Sequence, residues 1–265
     1  MNRKLLAMDL DGTAVADDYS MSSSSIEAIA KAQKAGHVIA FVSGRRDVDM
    51  LTLGEERWSV DYHILNNGGK IIRCKDRKII FNQIIDVKTC EKIIKHCLKN
   101  DLQLQFYRGM EWYVTKINSR TMDYARMLGV TPVLKDRFED IDLEGIEGFM
   151  ATVDCDPVGR YIDEQLPELC YSNSEPGTID IMRNDVSKSN GIKVLADMLG
   201  IAAKDTIAVG NYYNDIDMLE KAGTGIAVAN SLDEVKEAAD YVTINDNNHD
   251  AVAEIVDLIM KGKFD

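Results

Sequence analysis

The sequence predicts an α/β protein, a parallel-sheet core carrying an inserted α+β segment. Short apolar runs such as Leu5-Leu6-Ala7-Met8 alternate with longer stretches of helical period toward both ends of the chain. Between about residues 84 and 184 the strand-like runs mix polar and apolar positions, as in Leu102-Gln103-Leu104-Gln105, the pattern of an antiparallel sheet with one wet face. At 265 residues the chain can form one large domain or two small ones.

In order, residues 4–8 read as a buried strand and 22–35 as a helix, opened by serines and stopped by Gly36. Residues 37–42 and 62–65 read as two more core strands. The middle segment begins with a helix over 88–99, then strand-like runs over 102–107 and 112–115 and a helix over 119–128. It continues with a strand over 149–153, a helix over 157–165 and strand-like runs near 168–173 and 178–182. The core pattern then resumes, with helices near 187–199, 214–222 and 232–239 and strands over 206–209 and 225–228. Strands each followed by a helix imply right-handed crossovers and parallel pairing. The boundaries that result are 1–83 with 185–265 for the core and 84–184 for the insertion.

Composition narrows the function classes. At 45% hydrophobic and 28% charged the chain is an ordinary soluble globular protein. Its net charge of −13 argues against general binding to nucleic acid or anionic membranes. No apolar run approaches the ~20 residues of a membrane helix, and Asp9 comes too early for a signal-peptide core. A soluble, cytoplasmic protein is expected. Cys74, Cys90, Cys97, Cys155 and Cys170 form no C-x-x-C pair and no cluster with histidine, so reduced thiols are expected rather than a zinc site.

The sharpest chemical signal is Asp9-Leu10-Asp11-Gly12-Thr13, directly after the first strand. Side chains at i and i+2 of an extended segment point the same way, and Gly12 permits a sharp turn after them. Ligands of open α/β sheets bind at the carboxyl ends of strands, where this pair lies. A calcium loop is excluded, because the positions that need Gly and Glu are Ala14 and Ser20. Ser43-Gly44-Arg45 offers a hydroxyl and backbone N–H groups at a second strand end, although Ser43 also suits simple helix capping. Lys188 opens a helix, where the dipole disfavours a cation unless an anion lies near. The run Gly210-Asn211-Tyr212-Tyr213-Asn214-Asp215 follows a third strand and reads as a polar loop or as part of the same site.

Together these residues resemble the haloacid dehalogenase superfamily of phosphohydrolases over essentially the whole chain. Asp9–Thr13 match motif one, Ser43 motif two, Lys188 motif three and residues 210–215 motif four. The insertion between Asn66-Asn67-Gly68-Gly69 and Lys188 resembles the C2-type cap of the Cof-type subgroup, and His249-Asp250-Ala251-Val252-Ala253 is similar to that subgroup's last helix. The resemblance implies a Rossmann-like core and a Mg²⁺-dependent phosphatase acting through an aspartyl-phosphate. The substrate would be a small phosphorylated metabolite, either a sugar phosphate or a phosphorylated cofactor. It also implies roles. Asp9 would be the nucleophile and Asp11 the acid and base, while Lys188 would neutralise charge and Asp215 would orient it. The Leu10 amide, Ser43, the Gly44 amide and Asn214 would hold the phosphoryl group. Mg²⁺ would be bound by Asp9, the Asp11 backbone carbonyl and Asn211. Arg45, Arg46 and Asn67 are expected to line the substrate cleft from the core side, with Arg108, Trp112, Arg183 and Asn184 as candidates in the cap.

One position departs from the family pattern. Asn211 stands where motif four usually has Asp, which removes a charge from the metal site. Weaker metal binding, ligation by Asp215 instead, and a catalytically weakened phosphometabolite-binding protein all remain open alternatives. A phosphomutase on the same scaffold is another. No nucleic-acid or membrane partner is expected.

Overall fold

The computed structural model describes residues 2–54 and 58–265. The elements run β1 (Leu5–Asp9), α1 (Ser23–Lys34), β2 (Val38–Val42), α2 (Asp47–Leu53), β3 (Tyr62–Leu65), β4 (Lys70–Arg73) and β5 (Lys78–Asn82). Next come α3 (Val87–Lys99), β6 (Gln105–Arg108), β7 (Glu111–Val114), α4 (Ser119–Leu128), β8 (Val133–Leu134), β9 (Gly148–Thr152), α5 (Cys155–Gln165), β10 (Leu169–Glu175) and β11 (Thr178–Arg183). The chain closes with α6 (Lys188–Leu199), β12 (Thr206–Gly210), α7 (Ile216–Lys221), β13 (Thr224–Ala227), α8 (Asp233–Ala238), β14 (Tyr241–Val242) and α9 (Ala251–Met260). Two compact units result. Met1–Arg45, Leu53–Phe81 and Ser187–Asp265 make the first, and Arg46–Thr52 with Asn82–Val186 make the second.

The first unit is built on a sheet of order β14-β13-β12-β1-β2-β3-β4-β5. From β14 to β3 every neighbouring pair is parallel, and β4 returns antiparallel to β3. All five residues of β1, β2 and β12 are buried. That is why these strands read as unbroken apolar runs: helices cover both faces of a parallel sheet. Leu5, Ala40 and Ala208 share a core with Ile192 and Leu195 of α6. Register then sets the site. Met8 pairs with Val209, and Asp9 pairs with Val42. Asp9, Gly210 and the residue after Val42, Ser43, therefore reach the same carboxyl edge.

The second unit carries a sheet of order β10-β11-β9-β6-β7-β8. Its pairs are antiparallel except β7 with β8. Phe106, Phe149 and Ile181 pack with Ile93 and Ile94 of α3 on one face. Pro157 lies in the first turn of α5, where a missing N–H costs nothing. The segment Arg46–Thr52 groups here, although the sequence reading left it with the core. Arg46 is buried and paired with Asp49 at 3.0 Å, and its guanidinium lies 5.5 Å from the Tyr107 ring and 5.4 Å from the Trp112 ring. Cation–π contact in a desolvated setting holds the segment in this unit, a long-range effect invisible to local pattern.

The substrate-contact candidates of this unit are engaged within it. Arg108 binds Glu111 and Asp142, each at 2.8 Å, and Arg183 forks onto Asp185. Trp112 is buried and donates its indole N–H to Gln105, while Asn184 donates to the Pro167 carbonyl. All five cysteines are free, and burial pushes the Cys90 and Cys97 thiols up to about 12. Among the described residues no helix is long and apolar enough to cross a membrane.

Candidate active site

Asp9 ends β1 and is 6% exposed. The chain turns at once, because the Leu10 carbonyl accepts the N–H groups of Ala14 and Val15 at 3.1 Å. Gly12 occupies the left-handed region at φ +69°, and a Cβ there would come within 2.5 Å of Asn211 Nδ2. Absence of a side chain thus lets the loop after β12 lie directly against the turn after β1. Thr13 Oγ1 completes the contact by donating to Asn211 Oδ1 at 3.1 Å.

Lys188 is the first residue of α6, with Ser187 as its N-cap. Gly191 seats that helix, since a Cβ there would lie 2.6 Å from Ile64 Cγ2 and 2.8 Å from Gly68 Cα. Lys188 Nζ sits 2.6 Å from Asp9 Oδ1 and 2.5 Å from Asp215 Oδ1. The second Asp215 oxygen accepts the N–H groups of Asn211 and Tyr212 at 2.9 and 3.0 Å. Asp215 is fully buried and is committed through both oxygens to the lysine and the loop backbone.

This triad holds two carboxylates and one ammonium away from water. Burial and the nearby Asp215 charge push the Asp9 carboxyl up to about 7, against the pull of Lys188. Burial alone would lower the Lys188 ammonium, but Asp215 and Asp9 outweigh it and hold the group above its usual value.

Ser43 is buried and its backbone is fixed at both ends: its N–H donates to Ile64 O at 2.8 Å, and its carbonyl accepts from Asn67 at 3.0 Å. Its hydroxyl accepts the Arg45 N–H at 3.2 Å, a local turn contact rather than the helix cap that the sequence also allows, since α2 begins only at Asp47. Asn67 adopts a left-handed conformation at φ 53° and packs its amide within 3.0 Å of the Cβ position of Gly44. Asn214 is exposed in the loop after β12.

Arg45, expected as a cleft residue, grips Asp11. Its Nε and Nη2 donate to the two Asp11 oxygens at 2.8 and 2.7 Å, and its guanidinium lies 5.2 Å from the Tyr19 ring. Burial opposes the charge on Arg45, yet Asp11 more than compensates and raises its pKa. The two residues lie 34 positions apart, and no sequence spacing announces such a pair.

Among the described residues no group of three His, Cys, Asp or Glu side chains is placed to hold a metal. The oxygen donors on the turn after β1 and the loop after β12 are of mixed kind: the Asp9 carboxylate, the Asp11 carbonyl and Asn211 Oδ1, which accepts from Thr13 Oγ1. Hard oxygen donors with a single charge suit Mg²⁺, which keeps several waters, better than zinc. The residues present fit that ion.

Comparison with known proteins places the chain in a family. The model of the haloacid dehalogenase-like hydrolases matches residues 6–256. Phosphatase YwpJ of Bacillus subtilis is 25% identical, over 93% of this chain and 96% of its own length. The 5-amino-6-(5-phospho-D-ribitylamino)uracil phosphatase YwtE of the same organism is 25% identical, over 98% of this chain and 99% of its own. A haloacid dehalogenase-like hydrolase from Bacteroides thetaiotaomicron superposes with a TM-score of 0.83 at 25% identity, covering 97% of this chain and 100% of that one. With the fold, the strand-end site and a family match across nearly its full length in agreement, this chain belongs to the haloacid dehalogenase-like hydrolases.

Proposed function

We propose that this hydrolase removes the phosphoryl group from a small phosphorylated metabolite, a sugar phosphate or a phosphorylated cofactor, with Mg²⁺ bound. The observation that carries the reading is Asp9 at the end of β1, held by Lys188, which Asp215 braces from its other side. The printed name of YwtE supports the substrate class, since the compound it names is a small phosphate monoester. The second unit corresponds in this reading to the inserted cap.

Asp9 attacks phosphorus, forming a P–O bond as the bond to the leaving oxygen breaks, and Asp11 gives that oxygen its proton. Water then attacks the phosphorus of the aspartyl-phosphate while Asp11 takes a proton from it, and Asp9 leaves as a carboxylate. Arg45 occupies one hydrogen-bonding position on each Asp11 oxygen, so either role of Asp11 uses a remaining position or one that the fork releases. Lys188 pulls the Asp9 carboxyl back toward its ionised form and offsets the repulsion between carboxylate and phosphate. Ser43 Oγ and the amides of Leu10 and Gly44 hydrogen-bond the phosphoryl oxygens, with Asn214 reaching in from the loop after β12. Mg²⁺ would be held by Asp9, the Asp11 carbonyl and Asn211, and would supply charge neutralisation for the phosphoryl group.

Turnover of aryl and alkyl phosphates, with and without Mg²⁺, tests this directly. Mg²⁺-dependent release of phosphate is expected from both. Asp11→Asn should lose roughly 10²–10⁴ in rate, because that is the usual worth of a positioned acid or base. The loss should be larger for the alkyl ester, whose leaving group needs the proton more. Equal losses on the two esters would remove Asp11 from the acid role.

Asn211 provides a second test. If its amide oxygen faces the cation, Asn211→Asp should tighten Mg²⁺ binding by about 1–3 kcal/mol after solvent screening. Thermal stability of the variant should then climb more steeply with Mg²⁺ than that of the wild type. Equal affinities by calorimetric titration would mean that Asn211 is not a ligand.

A further inference from the structure

We propose that a cavity at the amino edge of the first unit's sheet binds a phosphate-bearing small molecule other than the substrate. The cavity measures about 720 Å³ and lies against His37 and Val38 at the start of β2 and Tyr62 at the start of β3. Arg73, paired with Tyr62 across the sheet, brings the end of β4 to the same edge. Asp9 and Ser43 stand at the opposite, carboxyl edge. The five residues of β2 separate the two by roughly 16 Å at 3.3 Å per residue, too far for one small ligand to reach both edges.

The wall chemistry selects an anion. Val38, Val60, Ile72 and Trp58 supply apolar surface, while Arg3, Arg73, Lys75 and Arg77 supply cationic groups. Asp61 is the one acidic residue on the wall among those described, and its Oδ2 already accepts the Ile39 N–H at 2.9 Å. Arg73 is neutralised by a two-point pair with Asp76. Arg3 and Lys75 are exposed and have no ion pair among the described residues. A cluster of cations on a chain of net charge −13 is a local reversal of sign, and a concave wall concentrates such a field. The volume falls within the roughly 300–1,000 Å³ of small-molecule sites, which likewise combine an apolar wall with a few polar anchors.

The two strands that open on this cavity also carry the catalytic edge, since β2 runs into Ser43 and β3 into Asn66 and Asn67.

Calorimetric titration with α,β-methylene-ADP, which resists hydrolysis, tests the site on the full chain. Wild type and Asp9→Asn are expected to bind it alike, with affinity falling as salt rises. The double variant Arg3→Glu/Lys75→Glu should bind at least about tenfold more weakly while keeping its aryl phosphatase rate. Arg3→Gln/Lys75→Gln should show the same direction with a smaller fall. Absence of binding to the wild type, undiminished binding by the double variants, or loss of binding in Asp9→Asn would each overturn the proposal.

Discussion

Lys188→Met is expected to abolish turnover and to lower stability by about 3–5 kcal/mol at pH 8, the usual cost of leaving buried charges without their partner. Among the described residues Lys188 is the one cation bonded to both Asp9 and Asp215, and all three side chains are withdrawn from water. Without it, burial and Asp215 act unopposed on Asp9, whose carboxyl is already raised to about 7. The variant should carry a proton on Asp9 at neutral pH and so have no nucleophile. The sign of the pH effect follows from linkage. A carboxyl whose folded pKa exceeds its unfolded one binds more protons in the folded state, so stability is greatest at low pH and is lost as pH rises. Thermal unfolding from pH 5 to 8 should therefore show a small deficit against wild type at the acid end and a large one at the basic end. A deficit independent of pH would mean that lost packing, not unpaired charge, sets the cost.

Asp9→Asn should separate stability from activity. The uncharged amide cannot attack phosphorus, so phosphate release should disappear. Moving the Asp9 pKa from 3.8 to about 7 corresponds to about 4 kcal/mol of stability given up on ionisation. The window lies between those two values: wild-type stability falls across it, while Asn has nothing to titrate. In chelator at pH 8 the variant should consequently gain up to about 4 kcal/mol on wild type relative to the same comparison at pH 4. Mg²⁺ should reverse the order by stabilising the carboxylate form. Melting curves in chelator and in Mg²⁺ check this, and parallel pH dependence of the two proteins would contradict it.

Much of this arrangement was legible in the residues. The strands of the parallel sheet are unbroken apolar runs because both faces are covered, and Asp9, Ser43 and Gly210 each follow one of them. The bounds of α1, α3, α4 and α6 agree with the sequence reading to within one residue, because N-caps such as Ser22, Asp86, Asn118 and Ser187 mark their starts. Other features left no local trace. β5 is only half-covered, with Lys78 and Ile79 exposed, so its pattern is neither continuous nor alternating. The seven-residue α2 is too short to show a helical period. The Arg45 fork on Asp11 and the seating of Arg46 against Tyr107 and Trp112 join residues far apart in sequence. Charge alone could not announce either pairing. Asp215 is a middle case: its place in the motif was readable, but its capping of the Asn211 and Tyr212 amides required coordinates.

The central claim is that Asp9 carries the phosphoryl group between two half-reactions. Rapid acid quench of the enzyme during turnover of an aryl phosphate, whose leaving group departs without a proton from Asp11, followed by peptide mass spectrometry, tests it most directly. The account predicts one phosphoryl group on the peptide containing Asp9, accumulating in Asp11→Asn because its breakdown lacks a base, and absent from Asp9→Asn. Phosphate release at the wild-type rate by Asp9→Asn, or a phosphoryl group found on any other residue, would contradict it.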